Sequence, residues 1–527
     1  MSLHSKRPNR LVIPRWRDFK ETSNTGELAK EKGKNTLKLP SVSIQNQINN
    51  WKKERSVINA IELVNSAYLI NDKTSATSAA QYIIQSCTDA NHPSLIIANL
   101  ILNGKNDEEK IETTATASFS NLHLKIQCKI QEIRRRLNNY SYNAILWIDM
   151  ARWYTVIGKI SDAEKCIKTA IQLAPNNVFV IRSAVRFFLH KSKYDRAGED
   201  SLSFALQLIR KNPATKVDPW MMATEISLCA LVNKTSSLMK TGITMVGDRN
   251  FSPFALSELT AALATEELKH SGSKSKKLFS NALIDPNENT IAQAQWATKI
   301  VGNLPFDFNK RNSFEASSYL NANIGDWVQS FDEALNWVVD EPFSCQPVNH
   351  ASYLAGSIID NNEFAIQICN FGLRANPKEF TLLNNKAYSL AVEGKSLEAE
   401  NVFNQIEMGS LKEHERISYS ATKGLIQYCK GNSEVGNLLY NEAEALAVKN
   451  KDHKTAFRVK IFKTRAEYIF NPEQVDKVKA IENLTNELDK FNQPDIVKTL
   501  DNLKKRLGVE LNITNTDTKT VQFITPK

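Results

Sequence analysis

Glycine and proline are scarce in this chain. Its 527 residues include 18 glycines and 16 prolines, below the usual shares of about 7% and 5%. Catalytic α/β folds use glycine in turns and phosphate loops, so the shortage favours a chain that is helical throughout. The seven cysteines stand at 87, 128, 166, 229, 345, 369 and 429, with no Cys-x-x-Cys pair among them. An odd, scattered set argues against a disulfide framework and reads as reduced thiols in a cytoplasmic protein. No stretch approaches the roughly 20 apolar residues of a membrane span. The N-terminus lacks the apolar core of a secretory signal. It carries no acid before Asp18, as an organelle leader would, but Pro8 and Pro14 interrupt the amphipathic helix such a leader needs.

Catalytic signatures are missing too. The nearest approach to a phosphate loop is Gly33-Lys34-Asn35-Thr36. Leu28 stands where the first glycine is required, and Asn35 where Ser or Thr must follow the lysine. His414 lies between Glu413 and Glu415 with no second histidine nearby, and the eight histidines are scattered. That gives no zinc pattern. Neither Gly-x-Ser-x-Gly nor Gly-x-Gly-x-x-Gly occurs. The expectation is a chain with no catalytic residues, no metal and no cofactor.

What is present is helical periodicity. In residues 144–176, Trp147, Met150, Ala151 and Tyr154 recur at i, i+3, i+4 and i+7, one face of a helix. Gly158 supplies a residue free to turn left-handed where that helix must end. Ser161 and Glu164 have the spacing of a capping box for a second helix. Ala163, Ile167 and Ala170 form the second stripe, its alanines small enough for close helix approach. Pro175 ends the pair, because proline cannot continue a helix.

These residues resemble the tetratricopeptide repeat, Trp-x2-Leu-Gly-x2-Tyr, then Ala-x3-Phe, then Pro. Met150, Ala151 and Ile167 stand for Leu, Gly and Phe. The same intervals return at Leu383, Ala387, Leu390, Gly394, Ala399 and Phe403, and a further copy carries Gly424, Gly431, Gly436, Tyr440 and Ala443. Residues 178–200, 255–286 and 347–377 hold looser copies. Repeats of roughly 34 residues imply a solenoid in which each unit buries its face against its neighbours. The expected fold is therefore all-α, a right-handed superhelical solenoid of tetratricopeptide-like antiparallel helix pairs, in two arrays with an irregular joint.

The sequence divides accordingly. Residues 1–50 are expected to form a basic, largely disordered arm, and 51–140 are N-terminal helices serving as degenerate repeats or a cap. The first array takes 141–300, the joint 301–345 and the second array 346–470. Capping helices occupy 471–507 and a tail 508–527. In the joint, Asp326 is placed to cap a helix carrying Trp327, Phe331, Leu335 and Val338. Through Arg55 there are 13 lysines and arginines against 5 acids, a net +8 of the chain's +10. Solvation explains most of that arm. Arg10 to Arg17 differs, because it sets Leu11, Val12, Ile13 and Trp16 among Arg10, Arg15 and Arg17. That mixture suits docking on a partner or back on the solenoid, while its basic groups also fit nucleic acid.

The resemblance further implies that the first helix of each unit lines a concave groove. Arg152, Arg182 and Arg186 would then project into it and suit the carboxylates of an acidic peptide or C-terminal tail. The alternative is that they are solvated or paired with acids of neighbouring helices. The reading is a non-catalytic interaction protein, a scaffold, adaptor or regulatory subunit. It would bind a protein partner through groove and arm, without a membrane. Other readings are a nucleic-acid-associated repeat protein, or an accessory subunit of an enzyme or defence or toxin complex whose catalytic chain is separate. Ala163→Leu is expected to lower stability by about 1–3 kcal/mol through overpacking, read as a shifted denaturant midpoint.

Overall fold

The computed structural model describes residues 10–17, 45–69, 73–86, 95, 98–99, 101–102, 119, 122–193, 198–248, 250–306, 312–474, 476–488, 490–491 and 493–508. Every regular element among them is a helix. Two compact units result. The smaller comprises residues 16–154 and 159–180, and the larger 1–15, 155–158 and 181–527. The stretch at 33–36, half of residues 93–102, where the periodicity predicts a helix, and the segment Val521–Lys527 lie outside the described residues.

The smaller unit begins with α1 (Gln45–Lys53), α2 (Val57–Leu69) and α3 (Lys73–Ser86). Periodicity predicts one helix from Trp51 to Ile70, but the chain breaks between α1 and α2. Ser56 takes the Asn59 amide on its hydroxyl (3.3 Å), and the Asn59 side chain closes on the Glu54 carbonyl (2.9 Å). These short-range bonds favour a new helix start over continuation. Alanines 60, 67, 76, 79 and 80 are fully buried and let α2 and α3 approach closely. Trp51 meets Tyr82 edge-on at 5.2 Å and donates to Ser78 Oγ. Next come α4 (Leu122–Asn139), α5 (Ala144–Val156) and α6 (Ile160–Leu173). Ala163, Ile167 and Ala170 are buried in α6, as the repeat pattern requires. The expected capping box does not form. Helix α6 starts earlier, with Lys159 at the cap position and no side-chain cap, so Ser161 is already inside it.

The larger unit takes up the chain within α7 (Val178–Lys191) and continues with α8 (Gly198–Lys211), α9 (Pro219–Leu231), α10 (Met239–Val246), α11 (Pro253–Glu267), α12 (Gly272–Ala282) and α13 (Glu288–Val301). Helices α14 (Phe314–Ile324) and α15 (Trp327–Asp340) follow. Then come α16 (Cys345–Tyr353), running into a π-turn at Leu354–Ile358, α17 (Asn362–Ala375), α18 (Phe380–Val392) and α19 (Ser396–Phe403). Helices α20 (Glu413–Cys429), α21 (Ser433–Lys449), α22 (His453–Phe470), α23 (Lys477–Leu488) and α24 (Pro494–Leu507) complete it. First helices start at Pro219, Pro253 and Glu288, and again at Cys345, Phe380 and Glu413, in steps of about 34 residues.

Local chemistry sets these starts. Asp218–Pro219 and Ser252–Pro253 combine a side-chain cap with proline in the first turn, and Asn287 and Asp326 cap α13 and α15. The glycines matched between repeats, Gly158, Gly394 and Gly431, all turn left-handed, with φ of 79°, 76° and 83°. Leu383, Ala387, Leu390, Ala399 and Phe403 lie together in one buried cluster with Tyr440 and Ala443. Helices α20 and α21 touch at glycine, where a Cβ on Gly436 would sit 2.6 Å from the Tyr428 ring. Between 312 and 345 the sequence reading identifies one helix; the structure holds two. The capped helix α15 buries Leu335 and Val338, and α14 precedes it.

The C-terminal helix is tied back. Asp360, itself left-handed at φ 64°, bonds Arg465 of α22 (2.6 Å) and Arg506 of α24 (2.5 Å). Asn502 of α24 donates to the Ile358 carbonyl of the π-turn (2.8 Å).

One buried and one half-buried histidine make this unit acid-sensitive. His190 donates to the Ala375 carbonyl at 3.1 Å, and burial, with Arg186 and Lys193 nearby, pushes it down to about 3. His350 sits 2.9 Å from Ser318 Oγ against the Tyr319 ring, and burial pushes it down to about 4. The unfolded chain protonates both near 6.5. Below that pH it binds more protons than the fold does, so stability is full above about 6.5 and declines as pH falls toward 4. The urea midpoint is expected to be lower at pH 5 than at pH 7.5, and His350→Asn is expected to flatten the difference.

Candidate functional site

Helices α9, α11 and α13 are first helices of successive pairs, and their shared face carries polar side chains that the helix cores do not need. Arg182 of α7 donates to Thr224 Oγ1 of α9 (3.3 Å) and pairs with Glu258 of α11. Glu258 Oε1 accepts from both Asn287 and Asn289 at 3.0 Å. Gln293, one turn along α13 from Asn289, donates to Thr265 Oγ1 (2.9 Å). Glu258, Asn289 and Gln293 are 3%, 2% and 0% exposed. A first-helix face of an open solenoid would be wetted. This one is covered.

The cover is the chain's own residues 10–15, which are neither helix nor strand. Two amides of α13 read the backbone of this segment. Asn289 Nδ2 donates to the Ile13 carbonyl (2.9 Å) and Gln293 Nε2 to the Arg10 carbonyl (3.1 Å). A tight bend, Ile13 N–H to Leu11 O at 2.9 Å, turns Val12 inward. Val12 is buried in the apolar cluster of Met222, Ala223 and Ile226 of α9 with Leu259, Ala262 and Leu263 of α11. Pro14 is buried as well.

Two arginines clamp the segment. Arg10 makes a bidentate pair with Glu315 of α14, both bonds at 2.8 Å, and a third bond of 2.5 Å to Gln293 Oε1. Arg15 pairs with the same Glu315 carboxylate and faces Glu341 (3.5 Å) and Asp340 (3.9 Å). Burial opposes charge on Arg15, but Glu341, Glu315 and Asp340 outweigh it, and the guanidinium holds its proton more firmly than a free arginine. Burial likewise opposes charge on Glu315, yet Arg10 and Arg15 hold its carboxyl below the usual carboxylate range. The arrangement is a lock of opposite charges around an apolar plug, with main-chain bonds that do not depend on side-chain identity.

The remaining residues singled out from sequence take these positions. In the smaller unit, Trp16 is buried and its carbonyl accepts from Arg152 Nε (3.0 Å), while Arg17 is half-buried. Arg152 is itself buried and lies over the Trp153 ring at 4.5 Å. In the larger unit, Arg182 stacks over Trp220 (5.1 Å) besides pairing with Glu258. Arg186 stacks over Phe343 (4.7 Å) and donates to Ser344 Oγ (3.4 Å). Each of the three arginines thus has partners within its own unit.

Sequence reasoning did not single out Glu258, Asn289, Gln293, Glu315 or Glu341. A signal was available in α13, where Asn289 and Gln293 place two amides one turn apart on a helix otherwise rich in buried Ile and Ala. No comparable pattern marks Glu315. Among the described residues, no group of three or more His, Cys, Asp or Glu is placed to hold a metal ion.

No family model matches the chain, and no curated protein matches it in sequence. Several solved structures are similar to it. One is a chain of the APC/C hetero-tetramer Cut9–Hcn1, 11% identical, with a TM-score of 0.31 over 84% of this chain and 95% of that one. Yeast Tom70 is 12% identical, with a TM-score of 0.27 over 86% and 96%. A monomeric mutant of IFIT1 with Gppp-AAAA is 12% identical, with a TM-score of 0.24 over 88% and 94%. These values carry no argument about function. The chain's own helix pairs, their spacing and their left-handed turn glycines have the tetratricopeptide layout.

If Arg182 and Arg186 served only a partner, reversing both charges would leave melting unchanged. Their placement gives a different expectation. Arg182→Glu with Arg186→Glu strips buried Glu258 of its cation and adds a second carboxylate beside it. Breaking one side of a buried pair costs about 3–5 kcal/mol, so the double variant is expected to melt clearly below the parent in a thermal unfolding scan.

Proposed function

We propose that this chain is a non-catalytic scaffold or adaptor that holds an extended segment of a protein partner on the face of α9, α11 and α13. One observation carries the reading. That face already grips an irregular stretch of polypeptide through backbone carbonyls, an apolar socket and an acidic rim. Solenoids present such faces because the first helices stack side by side and leave one surface for a ligand. The division into arrays at 141–300 and 346–470, with arm and caps outside them, belongs to the same proposal. So does a cytoplasmic location, for which the support is six unpaired cysteines among the described residues. No helix of the described residues is long and apolar enough to cross a membrane.

The strongest look-alike for catalysis is Ser318 with His350. Both lie inside packed helices, and His350 is pressed between Tyr319 and Trp337 with its basicity lowered by burial. A base held at about 4 and sealed by aromatic rings suits packing better than proton transfer. A cavity of about 450 Å³ among α20, α21, α22 and α23 is lined by Tyr428, Glu434, Glu467 and Asp476. Ser433 and Lys479 line it too; the Tyr428 hydroxyl donates to Glu467 (3.3 Å), and burial with that carboxylate beside it pushes the phenol up, away from an activated nucleophile.

Arg152, Arg182 and Arg186 as contacts for an acidic peptide remain a second form of the proposal, which requires these side chains to leave their present partners. Purification of C-terminally tagged full-length protein, with cross-linking and mass spectrometry, tests the reading. The expected result is a stoichiometric protein partner cross-linked to α9, α11 or α13. Nucleic acid retained at low salt and lost at high salt would favour the nucleic-acid reading. A chain that retains no partner would count against both.

A further inference from the structure

We propose that the face of α9, α11, α13 and α14 is a receptor for basic, extended peptide segments, and that residues 10–15 occupy it in cis as an internal competitor. This rests on the scaffold reading and names its ligand. Charge complementarity decides the class. The rim offers Glu315, Asp340 and Glu341 within 4 Å of the two guanidinium groups, with Glu288 adding to the field at Arg15. An acidic peptide would meet repulsion there. The ligand is a segment with two arginines five positions apart, a small branched side chain at the third position for the Val12 socket, and free backbone carbonyls for Asn289 and Gln293.

Several features mark the bound segment as a ligand and not as one more repeat. It belongs to no helix pair. The amide nitrogens of Asn289 and Gln293 donate to carbonyls of the segment, which any sequence supplies, and Gln293 Oε1 adds one side-chain bond from Arg10. Its ion pairs reach across 305 and 300 residues of sequence to Glu315. The segment is tethered to the face it occupies, so its effective concentration there is set by the chain and not by the protein's concentration. A partner segment of equal intrinsic affinity therefore binds the intact chain weakly and binds a chain with its own segment released far better.

The test uses the full chain and a fluorescently labelled peptide with the sequence of residues 8–17. Anisotropy titrations compare the parent with the variant Arg10→Glu, Val12→Asp, Arg15→Glu. The variant is expected to bind at least tenfold more tightly, with affinity falling as salt rises, and adding Glu315→Lys is expected to abolish binding. A helical variant that does not bind the peptide overturns the proposal, since the segment is then a fixed pin. Should the variant not fold, hydrogen exchange on the parent decides. Saturating unlabelled peptide is expected to strip protection from residues 10–15, and unchanged protection overturns the proposal. Failure of the peptide while a partner still cross-links to α9, α11 or α13 removes the ligand class and leaves the scaffold reading standing. Failure of both removes both.

Discussion

The carboxylate of Glu315 is the point on which the larger unit's N-terminal strap depends. It accepts two bonds from Arg10 and shares its second oxygen with Arg15. Burying a carboxylate alone is prohibitive, and burying it between two guanidinium groups is feasible because both oxygens find charged donors. The geometry is reciprocal. Without Glu315, Arg10 loses its only described carboxylate partner and Arg15 keeps only the longer contacts to Glu341 and Asp340, and without the arginines Glu315 could not stay charged there.

From that pair the surrounding polar groups fall into a consistent order. Asn289 and Gln293 each bond the strap and also a helix neighbour, Glu258 in one case and Thr265 in the other. Glu258 in turn pairs with Arg182, which reaches Thr224. A ladder of buried hydrogen bonds therefore runs from α7 through α9, α11 and α13 to the strap. Such ladders are costly when half satisfied and specific when complete. The near-complete burial of α9 and α11 combines this cover with packing on their other faces, where Glu225 of α9 bonds Arg210 of α8 and Ser236.

Much of the architecture was legible in the sequence. The stripes of Ala163, Ile167 and Ala170, and of Leu383, Ala387, Ala399 and Phe403, are local patterns, and local patterns are what a helix pair is made from. The segment Arg10 to Arg17 also stood out, because apolar residues in a basic arm have no cause unless something covers them. What sequence could not carry was the pairing. Arg182 and Arg186 looked like ligands for a partner because their acceptors, Glu258 and Ser344, lie 76 and 158 residues away. Glu315 sits in a stretch read as a joint, with no periodic signal to set it apart. The failed capping box at Ser161 and Glu164 has a simpler cause: the helix began one residue before Ser161, at Ile160, and a residue inside a helix cannot cap it.

The span between Arg10 and Glu315 also bears on how the molecule is made. Helical repeats assemble mainly from neighbours in sequence and can form as the chain leaves the ribosome. The strap departs furthest from that order, since its binding face is not complete until Glu341 has been synthesised. At roughly 5–20 residues per second, the segment emerges first and waits on the order of tens of seconds for its site. During that interval Leu11, Val12, Ile13 and Trp16 are displayed beside three arginines on a nascent chain. These contacts, spanning 305 and 300 residues, join a segment to a site made long after it, and birth order makes that segment open to capture before it is locked away.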